Sequence, residues 1–108
     1  MTEWVVIVYD KPNTDRSKVR PQHVAAIPAA VTAGIVTNVG AIFHTVPNPA
    51  TDEKPPFAGS AFNLIAESRE EILEFLKKDI YAKEGIWDLD SFIAYPYSCA
   101  ARVEKKLP

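Results

Sequence analysis

The chain has 108 residues, 47% of them apolar, 24% charged, with a formal charge of −2 and Lys and Arg scattered along it. That suffices for one hydrophobic core and argues against nucleic acid or an anionic membrane as the main partner, since both require a basic footprint. A single cysteine, Cys99, excludes an internal disulfide and fits a reducing compartment; Met1-Thr2-Glu3-Trp4 lacks the positive region of a signal peptide, and no apolar run nears the roughly 20 residues of a membrane span.

The expectation is a soluble, cytoplasmic, single domain over residues 1–102 with a polar tail at 103–108. Glu3 to Tyr9 is predicted as a strand, because Trp4-Val5-Val6-Ile7-Val8-Tyr9 is apolar without alternation and so demands cover on both faces. Asp10-Lys11-Pro12-Asn13 ends it, and Asn13 to Arg20 is a polar connection. Pro21 suits a first helical position, Val24, Ile27 and Val31 recur at helical spacing, and Gly34 supplies a stop. Pro28 is expected to kink this helix or weaken its middle.

Ile35 to Thr45 forms the second predicted strand, with Gly40 as a bulge or a close backbone approach. A proline-rich connection from Val46 to Ala58 follows, long enough to be functional or mobile, and Gly59 to Ala66 is the third strand. Ser68-Arg69-Glu70-Glu71 is a capping box opening a helix with an apolar stripe of Ile72, Leu73, Phe75 and Leu76, and Glu74 is placed to pair with Lys78. Asp79 to Gly85 is a further short turn or helix, and Asp90 to Ala101 the last strand.

The order is β-α-β-β-α-β, the α+β ferredoxin-like arrangement, with two helices on one face of a four-stranded antiparallel sheet. Strands apolar on both faces leave the other side of such a sheet in need of cover, and a second copy of the chain is the economical answer.

His23, in Arg20-Pro21-Gln22-His23, borders the apolar side of the first helix; it is either a general base or a helix-start histidine bonded to backbone. Asp79 either orients that imidazole or caps the next short helix. Arg20 either binds a carboxylate or enolate oxygen or is a surface cation. Tyr9, Tyr81, Trp87, Tyr95 and Tyr97 line a pocket for a flat ligand, or else belong to the core or an interface. His44 and Cys99 complete no metal set with His23, and no glycine-rich phosphate loop is present, so neither a metal nor another cofactor is expected. Phe57-Ala58-Gly59-Ser60-Ala61-Phe62 lies where RNA-recognition domains carry stacking aromatics but lacks their basic residue and glycine-aromatic pair.

Trp4 to Pro12, Arg20-Pro21-Gln22-His23, Asp79 to Asp88 and Tyr95 to Arg102 together resemble the YCII-related (YciI-like) family, particularly its fungal members. The resemblance implies a dimeric α/β-barrel of ferredoxin-like protomers and a His–Asp pair in a pocket, matching His23 and Asp79. It also implies lyase, dehydrohalogenase or isomerase-like chemistry. Pro28 and the Val46 to Ala58 loop depart from the pattern. The expectation is a cofactor-independent enzyme acting on a small cyclic or aromatic metabolite. In it His23 is the base, Asp79 its partner, Arg20 the holder of a developing oxyanion, and Tyr9, Tyr81 and Trp87 the walls. The alternative is a non-catalytic dimeric module that binds a small molecule.

Overall fold

The computed structural model describes residues 1–106. The elements run β1 (Thr2–Asp10), a 3-10 turn (Arg16–Lys18), α1 (Arg20–Thr32), β2 (Val36–Phe43), β3 (Phe57–Ala66), α2 (Arg69–Lys77), α3 (Ile80–Lys83) and β4 (Trp87–Tyr97). The strands form one antiparallel sheet in the order β2-β3-β1-β4, so the apolar β1 lies inside it, between β3 and β4.

Alternation along β1 sorts its apolar run. Val6 and Val8 are wholly buried and join Phe62, Leu64, Ile72 and Leu76 in the core beneath the helices. Val5, Ile7 and Tyr9 point the other way, where their cross-strand neighbours are Asn63, Ala61 and Gly59 on one side and Tyr95, Ile93 and Asp88 on the other. Among the described residues no helix covers that second face, where Val5 and Ile7 are half-buried, Tyr95 is 66% exposed and Arg102 of the tail reaches Glu3 at the start of the strand.

Helix α2 starts where its sequence says. Ser68 Oγ accepts the Glu71 N–H at 3.2 Å, worth about 1 kcal/mol for a cap. The return bond differs from a strict capping box: the Glu71 carboxylate accepts from the Glu67 N–H, one residue early, at 3.4 Å. Ile72 and Leu76, one turn apart, bury the inner face. Glu74 pairs with Lys77 at 3.3 Å rather than with Lys78, which leaves Lys78 for the other side of the helix end.

Helix α1 departs from its predicted face. Val24 and Val31 are 43% and 51% exposed, and the buried residue of the helix is His23, with Ile27 and Ala30 partly covered behind it. The inward stripe is therefore a histidine followed by Ile27 and Ala30, which do not fill the space above the sheet. The helix runs unbroken through Pro28, which faces outward, so its missing N–H costs one backbone bond.

Three further boundaries move. Gly40 pairs with Ala61 in register and has open space where a Cβ would be; the close approach is at Gly59, whose Cβ would stand 2.2 Å from the Val8 carbonyl oxygen. β3 starts at Phe57, within the predicted loop, and β4 starts at Trp87 rather than Asp90 and stops at Tyr97. The Asp88-to-Ser91 stretch bulges against β1, with Asp88 accepting from Asp90 N–H and Ser91 Oγ, both at 3.0 Å. Residues 103–106 of the predicted tail have no regular structure, and Leu107 and Pro108 lie outside the described residues.

Candidate active site

Two helix starts converge. Pro21 and the first turn of α1 carry His23, whose own N–H bonds to the Val19 carbonyl at 3.1 Å. Asp79 caps α3: its backbone is extended and its Oδ1 accepts the Tyr81 N–H at 2.9 Å. The same carboxylate meets the imidazole, with both oxygens 2.8 Å from His23 Nδ1. Asp79 therefore fills both roles open to it from sequence, capping a helix and facing His23. An ionised carboxylate accepts only, so Nδ1 carries the shared proton in the neutral imidazole and Nε2 keeps its lone pair.

The imidazole is held by aromatic rings. Tyr81 stacks on it at 4.1 Å between centroids, 17° from parallel, and Trp87 meets it edge-on at 5.8 Å. Both are buried in the core behind His23, since Tyr81 packs edge-on against Trp87 and Trp87 against Phe62. They support the histidine rather than wall a ligand space. Burial pushes the Tyr81 phenol above its ordinary value, partly opposed by the Arg16 and Arg20 guanidiniums. Among the described residues, Tyr81 Oη and Trp87 Nε1 are buried without a hydrogen-bond partner.

Arg16 is the member that sequence reasoning missed. It is 3% exposed, and its guanidinium meets Asp10 through Nε and Nη2 at 2.9 and 2.6 Å and Ser60 Oγ at 3.1 Å. Its carbon stands 4.5 Å from the centre of the Tyr81 ring. A guanidinium and a stacked imidazole cannot share one face of a ring at these distances, so Tyr81 lies between Arg16 and His23.

The ligand space beside the pair follows from the poverty of α1. Ala26, Ile27 and Ala30 leave a cavity of about 130 Å³ over Val36, Val39 and Phe62, with His23, Asp79 and Lys78 on its wall. That volume admits roughly one six-membered ring. Lys78, expected from sequence to pair with Glu74, supplies the cation here. Arg20 does not: it is exposed and faces an outer groove with Phe43 and Phe57. Tyr9 does not either, because alternation along β1 puts it on the open face of the sheet, 39% exposed. Among the described residues no three His, Cys, Asp or Glu side chains gather as a metal set, and no helix is long and apolar enough to cross a membrane.

No family model matches the chain. It is 39% identical over 100 residues to aspercryptin biosynthesis cluster protein B of Emericella nidulans; the match takes in 88% of this chain and 62% of that protein, so the chain spans about three fifths of its length. It is 30% identical over 102 residues to fusaric acid biosynthesis protein 2 of Gibberella fujikuroi, covering 90% of this chain and 93% of that one. Among solved structures, a 5-chloro-2-hydroxyhydroquinone dehydrochlorinase from Burkholderia phenoliruptrix, in complex with 2,5-dihydroxybenzoquinone, superposes with a TM-score of 0.70 at 20% identity, over 89% of this chain and 93% of that one. At that identity the likeness is one of fold.

Proposed function

The chain belongs to the family of fusaric acid biosynthesis protein 2, and from that premise we propose that it is a YciI-like, cofactor-independent enzyme of small-molecule metabolism, with His23 as its general base. The observation that carries this reading is the contact of both Asp79 oxygens with His23 Nδ1 on the wall of a ring-sized cavity.

With Nδ1 committed to Asp79, Nε2 is the nitrogen left to take a proton. It removes one from an activated carbon or a hydroxyl, and the Asp79 carboxylate stabilises the imidazolium that results. The electron pair released by the substrate moves into a new double bond. In an elimination the leaving group departs with its own pair; in an isomerisation the imidazolium returns the proton at a second carbon. Lys78 neutralises an oxyanion at the cavity wall, the task that sequence assigned to Arg20. Tyr81 and Trp87 fix the imidazole plane, so that the base is pre-positioned.

Support for substrate class comes from the cavity size and from the ring compounds in the fold neighbour's description, a chlorinated hydroquinone and a dihydroxybenzoquinone. The biosynthetic names of the relatives support a metabolic setting. The protein acts as a homodimer in this reading: the open sheet face carries Val5, Ile7, Ile65, Ile93 and Tyr95, a cluster that a second copy would bury to close an α/β-barrel.

The test is turnover of halogenated and enolisable hydroquinones by the parent and by His23→Ala. The expected loss is at least about a hundredfold, the scale of a positioned base. Unchanged turnover in the variant would refute the assignment. A ring compound bound in the cavity with no product would favour a binding module.

A further inference from the structure

A second concavity lies away from the His23 cavity. The connection between β1 and α1 and the loop between β2 and β3 enclose about 410 Å³. This is within the roughly 300–1,000 Å³ of ordinary ligand sites. Arg16 forms part of its wall, held by Asp10 and Ser60, with Lys11, His44 and Lys54 around it. Lys54 Nζ ties the loop to the connection by a 3.0 Å bond to Asp15. A neighbouring concavity of about 490 Å³ shares Ser17, Pro55 and Phe57 with the first and adds Arg20 and Phe43. Phe43 and Phe57 stack at 5.3 Å between centroids, and Arg16 stands 4.9 Å from the Phe57 ring. The two concavities make one groove, charged at one end and aromatic at the other.

The charge is of one sign in excess. Four cations (Lys11, Arg16, Arg20 and Lys54) face two carboxylates (Asp10 and Asp15), in a chain whose formal charge is −2. Both carboxylates are already engaged, by Arg16 and by Lys54, while among the described residues Lys11 and Arg20 have no carboxylate within ion-pair distance. A cationic groove backed by a rigid, buried guanidinium is suited to an anion, and the Phe43–Phe57 pair to a flat apolar body.

We propose that this groove is a second ligand site, taking a small organic acid that carries an aromatic ring, with the carboxylate toward Lys11 and Lys54 and the ring along Phe43 and Phe57. The site is separate from the His23 cavity, because Tyr81 stands between Arg16 and His23. It does not depend on His23 being catalytic.

The experiment is a titration of the full chain with 1-naphthoate and with the neutral isostere 1-naphthamide, followed by amide NMR shifts. Naphthoate is expected to move the signals of Lys11, Ser17, Lys54 and Phe57 and to bind at least about tenfold tighter than the amide. It should weaken about tenfold in Lys11→Gln, a surface change that leaves the Lys54–Asp15 tie in place. A His23→Gln variant should bind naphthoate as the parent does, which separates this site from the catalytic reading. Equal binding of acid and amide overturns the proposal, as does an unaffected Lys11→Gln variant. Shifts centred on Ala26, Ile27 and Ala30, or binding lost in His23→Gln, would place the acid in the other cavity and overturn it too.

Discussion

Asp79 Oδ1 accepts the Tyr81 amide at 2.9 Å while standing 2.8 Å from His23 Nδ1, so the cap of α3 and the partner of the imidazole are one carboxylate. The fold thereby fixes the orientation of the carboxylate that meets the imidazole. A carboxylate held by its own helix start cannot rotate away from the imidazole without losing the cap.

The two roles separate by substitution. Asp79→Asn retains an oxygen for the cap and should leave stability within about 1 kcal/mol of the parent. It removes the charge that stabilises an imidazolium, so turnover should fall at least about a hundredfold. Denaturant unfolding and rate, measured on the same variant, check this. A parallel loss of both, or of neither, contradicts the division of labour.

Tyr81 gives the second prediction. Its ring is wholly buried and its hydroxyl is unpartnered among the described residues. Tyr81→Phe keeps the stacking on His23 and deletes an unsatisfied group, so it should be neutral or stabilising, whereas Tyr81→Ala should cost about 3–5 kcal/mol. The phenol is raised by burial. The stability it gives in its neutral form is complete below an unfolded value near 10 and is lost as pH rises through the higher folded value. The Tyr81→Phe chain should therefore tolerate alkaline pH better than the parent, as read from unfolding midpoints across about pH 9 to 11. Identical profiles would contradict it.

The cavity can be filled. Ala30 lines it and is only partly covered. Ala30→Leu adds three carbons to a space of about 130 Å³ and should block ring-sized ligands while leaving the fold as stable as before, to within about 1.5 kcal/mol. Thermal unfolding and ligand titration check the two halves. Gly59→Ala should do the opposite. Its Cβ would meet the Val8 carbonyl oxygen at 2.2 Å and Tyr9 Cα at 2.9 Å, backbone atoms that cannot move without opening the β1–β3 ladder. The variant should lose about 1–3 kcal/mol or more.

The loop tie has a pH signature. Hydrogen bonding to Lys54, and then to Ser17, holds the Asp15 carboxyl at about 2. A carboxyl depressed in the folded state contributes above its unfolded value, about 3.9, and ceases to contribute as pH falls toward the folded value. The tie should thus be complete above about pH 4 and release between about pH 4 and 2. Carboxyl carbon NMR of Asp15 should follow this, with the midpoint moving up in Lys54→Gln; a midpoint that stays put would contradict it.

How far the chain could be read from its residues depended on where the signal was local. The β1 run, the Ser68 cap and the turn after Asp79 each carry their cause within a few residues, and these elements fell where the pattern put them. Arg16 did not announce itself, because its partners Asp10 and Ser60 lie 6 and 44 residues away and a single arginine in a polar stretch has no period. The face of α1 was misjudged because Val24 and Val31 are apolar yet point outward, while the buried stripe begins with a histidine. Spacing alone could not choose between Lys77 and Lys78 as the partner of Glu74, and that choice decides which lysine reaches the cavity. Tyr9 was placed at the site as one of five aromatics, and an unbroken apolar run does not tell which face of its strand meets the helices. The His23–Asp79 juxtaposition spans 56 residues; what sequence offered was a resemblance, and the distance came from the structure.

The measurement that tests the account most directly is the tautomer of His23, read from its two ring-nitrogen NMR shifts at a pH where the imidazole is neutral. A protonated Nδ1 and a bare Nε2 are expected, with a downfield Nδ1 proton that disappears in Asp79→Ala. A ring protonated at Nε2, the same in the parent and in Asp79→Ala, would contradict it: Asp79 would not be holding the imidazole, and Nε2 would have no lone pair with which to act as a base.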